Sequence, residues 1–90
     1  MSSIKSLIKS QLTEINDLGN GYFINWFKAP EIIKDIKPGQ FLMLEAGQYL
    51  NRPLSIYEIR KDEIGFLHKI FGKGTEFLSS LKKGDSIQIN

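Results

Sequence analysis

Ninety residues allow one domain, burying roughly 60–65% of the surface its unfolded chain exposes. A hydrophobic share of 41% excludes an extended disordered chain, and 12 basic against 10 acidic residues, with no block of like charge, argue against a nucleic-acid partner. With no cysteine and a single histidine, His68, the chain has no residues for disulfides, thiolate catalysis, a Cys-held iron–sulfur cluster or a His-based zinc site.

The N-terminal segment is ambiguous. Ile4, Leu7, Ile8, Leu12 and Ile15 share one helical face, yet Ile8, Ser10 and Leu12 also alternate as in a strand. No apolar run has the length of a membrane span and no signal-peptide core opens the chain, so a cytoplasmic setting without a membrane partner is expected. Turn residues then separate short runs rich in β-branched and aromatic side chains. Residues 22–29, 40–46, 54–60, 64–71 and 86–90 read as strands, a spacing that suggests a sandwich or small barrel. Between the last two lies "TEFLSSLKKGD". Thr75 is a candidate N-cap, Phe77, Leu78 and Leu81 recur at helical spacing, and Gly84 is a stop. Phe23, Trp26, Phe27, Phe41, Phe66 and Phe71 are the expected aromatic core.

Two segments contain chemistry suited to a phosphate. In "NRPLS", Arg52 is a permanent cation that forks onto phosphate oxygens, Pro53 restricts its backbone to extended geometry, and Ser55 adds a hydroxyl. In "FGKGTEF", Gly72 and Gly74 free the backbone before the helix, where unpaired N–H groups, Lys73 and the Thr75 hydroxyl could meet an anion. Each alone also reads blandly, as a surface arginine before an edge strand and as a capped turn. The pattern is neither a Walker loop nor a Rossmann fingerprint. A hairpin across "KDE", pairing 54–60 with 64–71, would return Gly74-Thr75 to the side of Arg52, and the two would converge on one diphosphate. His68, among apolar neighbours, reads as a packed ring. Glu14, Glu45 and Glu58 show no sign of a catalytic pair, so neither a catalytic residue nor a metal ligand is assigned.

"KPGQFLML", "NRPLSI" and "FGKGTEFLSSLKKGDSIQIN", in this order, resemble the FAD-binding domain of the ferredoxin-reductase superfamily. Within it they are most similar to the electron transfer subunits of NAD-type dihydroorotate dehydrogenase, over roughly residues 20–90. The resemblance implies an all-β fold, a six-stranded antiparallel Greek-key barrel with one short helix before the last strand, and turns residues 4–15 into the first strand. It implies FAD as cofactor and a catalytic dihydroorotate dehydrogenase subunit as partner. In the family the residues matching Arg52, Pro53, Leu54 and Ser55 follow the cofactor from diphosphate to flavin edge. The backbone matching Leu67, His68 and Lys69 runs along the flavin, and the pair matching Gly74 and Thr75 caps the diphosphate. Leu54 departs from the tyrosine common in the wider superfamily, and His68-Lys69 from the frequent Tyr-Arg of the dihydroorotate branch. The expected domain is residues 1–90, an FAD-binding barrel without the NAD-binding and [2Fe–2S] regions of the family and not competent alone as an enzyme. The competing readings are the FAD domain of a ferredoxin/NADP reductase-type subunit and a small β-barrel binding module without a redox role.

Overall fold

A computed structural model of the chain describes residues 8–45 and 51–90. Six strands, β1 (Ile8–Gly19), β2 (Tyr22–Lys28), β3 (Phe41–Leu44), β4 (Arg52–Arg60), β5 (Glu63–Lys69) and β6 (Ser86–Ile89), and one helix, α1 (Lys73–Ser79), follow in chain order, with α1 between β5 and β6. A three-residue 3₁₀ turn, Ile33–Asp35, lies between β2 and β3. The strands close into an antiparallel barrel in the order β1-β2-β5-β4-β3-β6. The run β5-β4-β3 is a meander and β6 returns beside β3, which is the Greek-key connection.

Pairing decides the ambiguous N-terminal segment. Gln11–Gly19 pairs with β2 and Ile8–Gln11 with β6, so the alternation at Ser10 and Leu12, both buried, prevails over the helical spacing. Residues 4–7 of that segment, and Ala46 at the end of the expected third strand, lie outside the described residues. Asn20 and Gly21, both with positive φ (56° and 82°), make the β1–β2 turn, the backbone that a tight hairpin with right-handed twist demands.

The interior is built from Leu12, Phe27, Leu44, Ile56, Ile64, Phe66, Ile87 and Ile89, alternate residues of all six strands, with Leu78 from α1 added. Of the six expected core aromatics, Phe27 and Phe66 belong to this interior, and Phe23 is half-buried beside His68. Phe41 is 69% exposed, because it stands on the outward face of β3 opposite Ser55, and Phe71 is 85% exposed, because β5 ends at Lys69. Trp26 is buried outside the barrel interior. Arg60 lies 3.7 Å above its ring and Gly65 lies across from it on β5. β3 and β6 meet along a short seam of one residue pair, Leu44 and Ile89, and three backbone hydrogen bonds among Met43, Glu45, Gln88 and Asn90.

Candidate functional site

β4 and β5 form the hairpin expected across "KDE", turning at Lys61-Asp62. Their ladder runs from Arg60 and Glu63 only as far as Ile56 and Phe66. Beyond that point residues 52–55 keep their partners on β3, residues 67–69 keep theirs on β2, and the two stretches form no pair with each other. Between them opens a cleft of about 400 Å³. Arg52, Pro53 and Leu54 line one wall, Leu67, His68 and Lys69 the other, and Phe71 and Thr75 the far end. The backbone edges facing the gap have no ladder partner, so the walls combine apolar side chains with free main-chain donors and acceptors.

Arg52 reaches α1. A methyl group added at Gly74 would stand 2.7 Å from Arg52 Nε and 2.8 Å from Cγ, so the arginine stem packs directly on the glycine backbone. Only glycine leaves room for that approach. The convergence of Arg52 with Gly74-Thr75 read from the hairpin is therefore present. The helix itself starts earlier than its sequence pattern implied. Gly72, with φ of 92°, is the N-cap, and Thr75 is the third helical residue. Its hydroxyl accepts the Phe71 N–H at 2.6 Å and donates to the Gly72 carbonyl at 3.3 Å, so it shapes the loop from within instead of capping the helix.

His68 is 5% exposed and belongs to the barrel wall. One face stacks on Phe23, with ring centres 6.0 Å apart. Its Nε2 lies 2.8 Å from Asn25 Oδ1, and Asn25 Nδ2 donates to the Leu78 carbonyl of α1 at 2.9 Å. That carbonyl can only accept, so the Asn25 amide is oriented with its oxygen toward the ring, and Nε2 must carry the proton. Nδ1 is left as a bare acceptor, buried and without a hydrogen-bond partner. Burial depresses the ring's pKa from 6.5 to about 4, so the imidazole is neutral at neutral pH.

Of the residues singled out in the sequence, Arg52, Pro53, Leu54, Leu67, His68, Lys69 and Thr75 line this one cleft, and Gly74 packs beneath the Arg52 stem. Ser55 pairs with Phe41 and does not line the cleft. Phe71 and Asn25 were missed. Phe71 directly precedes the Gly-Lys-Gly loop, a position that marks a cleft mouth as readily as a core. Asn25 stands mid-strand among apolar residues, a polar misfit that implies a buried hydrogen-bond partner. Among the described residues no group of His, Asp or Glu could hold a metal ion, and no helix is long and apolar enough to cross a membrane.

No protein-family model matches the chain. Curated relatives do. A protein of Clostridium acetobutylicum described as "Dihydroorotate dehydrogenase B (NAD(+)), electron transfer subunit" is 48% identical over 58 residues, 61% of this chain and 24% of the relative. One of the same description from Desulforamulus reducens is 36% identical over 76 residues, 78% of this chain and 29% of the relative. The chain resembles part of a dihydroorotate dehydrogenase electron transfer subunit. It spans about a quarter of the length of these relatives. The fold is also that of a chain in the structure of an NADH-dependent reduced ferredoxin-NADP oxidoreductase studied for flavin-based electron bifurcation. That likeness has a TM-score of 0.76 at 24% identity and covers 96% of this chain and 32% of the other.

Proposed function

We propose that the β4–β5 cleft binds FAD, and that the chain is the flavin-holding barrel of a subunit that passes electrons from dihydroorotate oxidation to NAD⁺ in pyrimidine synthesis. The observation that carries this reading is the packing of Arg52 on Gly74 at the open end of the hairpin, which sets a permanent cation against helix backbone beside an apolar gap. The residues present fit the cofactor. A diphosphate calls for a fixed guanidinium and close backbone approach. A planar ring system calls for a slot with apolar walls and main-chain hydrogen-bonding edges, which the unpaired stretches 52–55 and 67–69 supply.

Bound there, FAD would supply the electron transfer itself. The protein's part is binding, orientation and electrostatics. Arg52 offsets the charge of the diphosphate. The main chain of Gly74 and Thr75 flanks it, with the Thr75 hydroxyl keeping the loop in shape. Leu54 and Leu67 exclude water from the slot, and Pro53 stiffens β4 between them and Arg52. Ser55, outside the cleft as it stands, would contribute through its backbone. A catalytic dihydroorotate dehydrogenase subunit, of the kind the relatives' name implies, would be the partner. The test is direct. The purified chain is examined for flavin absorbance, released cofactor is identified as FAD or FMN, and stripped protein is titrated with FAD by fluorescence quenching. Saturable FAD binding supports the reading, and a colourless protein that takes up no added FAD refutes it.

A further inference from the structure

Phe71 lines the far end of the cleft and yet is 85% exposed. A single apolar side chain in solvent is ordinary, but this one is held in place. The Ile70 N–H donates to the Gly21 carbonyl at 2.9 Å, and the Phe71 N–H donates to the Thr75 hydroxyl at 2.6 Å. That hydroxyl donates in turn to the Gly72 carbonyl, which also accepts the Glu76 N–H at 3.0 Å. The backbone on both sides of the ring is therefore fixed, to the β1–β2 turn and to α1. A phenyl side chain has few torsions left to set, so ordering it against a ligand costs little. Among the described residues lining the cleft it is the one phenyl ring, whereas Leu54 and Leu67, nearer the hairpin turn, are aliphatic.

The strand register orders the cleft. β4 and β5 pair toward the turn, so Leu54 and Leu67 lie nearer that ladder, and Arg52, Phe71 and Thr75 lie farther from it. A flavin between Leu54 and Leu67, with its diphosphate at Arg52 and Gly74, sends the adenosine onward to the end where Phe71 stands. A phenyl face has no donor or acceptor to offer. What it recognises is a second planar ring, and a purine presents a broad one. We propose that Phe71 stacks on the adenine of the bound dinucleotide and thereby favours FAD over FMN. This rests on the reading of the cleft as a flavin site and gives an anchor to the adenosine half, which no other residue of the cleft is assigned to hold.

Proton NMR of the chain loaded with FAD locates the ring directly. Cross-relaxation between the Phe71 ring protons and adenine H2 or H8 is expected. Cross-relaxation to the flavin methyl groups instead, or to no part of the cofactor, overturns the adenine assignment and leaves the flavin site standing. Failure to bind FAD overturns both. Affinity gives a second readout. Phe71→Ala should weaken FAD binding about 5- to 150-fold, the range of one base–aromatic stack, and should leave the affinity for FMN, which has no adenine, as it was. An equal loss for both cofactors, or no loss for FAD, refutes the proposal. Phe71→Trp should retain FAD affinity and Phe71→Leu should not. Full affinity in the leucine variant would mean plain apolar contact and would refute stacking. Because the side chain stands in solvent, these variants should melt with the unaltered chain. If one melts early, the cross-relaxation spectra of the unaltered chain decide alone.

Discussion

The two ends of the β4–β5 hairpin share one pair of strands and differ in how fully their polar groups are matched. At the turn end, the strands pair from Arg60 and Glu63 through a bulge at Tyr57, Gly65 fits under Trp26, and Arg60 lies on the Trp26 ring while bonding to Glu14 and Glu63. Asn16 accepts the Trp26 indole N–H at 3.0 Å and donates to Glu14. Both partners register the contact, since the Asn16 and Arg60 hydrogen bonds hold the Glu14 carboxyl below its usual value and Glu14 raises that of Arg60. At the open end the strands part, Phe71 stands in solvent, and His68 Nδ1 has no partner. The lesson is that within this hairpin the open end, and not the turn end, leaves a buried side-chain atom and two strand edges without partners.

Substitutions can break that contrast. The largest effect should come from Gly65→Val at the turn end, where even a Cβ would meet the Trp26 ring at 2.8 Å. Overpacking of this kind costs about 3 kcal/mol. A thermal melt should show the loss, and an unchanged melting temperature would mean that the turn end is far looser than described. Arg52→Ala at the open end should do the reverse. FAD binding should weaken by about 1.5–3 kcal/mol, roughly 10- to 150-fold, with little change in stability. Equal FAD affinity in titration would remove Arg52 from the site.

The two smaller effects sharpen the comparison. Thr75→Val removes the acceptor of the Phe71 N–H and should cost about 1 kcal/mol in stability, measured by urea unfolding. Acid should act more gently, through His68. The unfolded chain takes up a proton near 6.5 and the folded chain only near 4, so protons favour unfolding. The stability contributed by the neutral ring is whole above pH 6.5 and falls as pH drops toward about 4. Between pH 7 and pH 6 the decline should be roughly 0.7 kcal/mol, and it should be absent in His68→Phe.

Much of this was legible in the sequence, for identifiable reasons. The strands carried dense β-branched and aromatic runs between strong turn residues, and "KDE" was short enough to force a hairpin, which by geometry alone brought Arg52 beside Gly74-Thr75. The N-terminal strand was obscured because Ile8 and Leu12 suit either period, and only pairing with β2 and β6 chooses between them. The start of α1 was misplaced because Thr75 is a better N-cap by residue type than Gly72, whereas the left-handed backbone of Gly72 decides the matter. Phe71 and Phe41 were misread as core because hydrophobicity alone does not say on which side of a wall a residue stands. The role of Asn25 needed the third dimension, since its partners are 43 and 53 residues away.

The short seam between β3 and β6 has a mechanical consequence for the cleft. The β4 wall, Arg52–Ser55, is held by β3, and β3 is held on its other side by the seam. The three are coupled in series, so the stiffness of the cleft is set by its most distant and thinnest link. A transient opening between Leu44 and Ile89 would let β3 and the β4 wall swing together as a flap while β5 and His68 stay in the sheet. The amides of Met43, Glu45 and Asn90, which bridge the seam, should then exchange with solvent faster than those of the β2–β5 ladder, and a ligand clasped between the two walls should slow them from across the barrel.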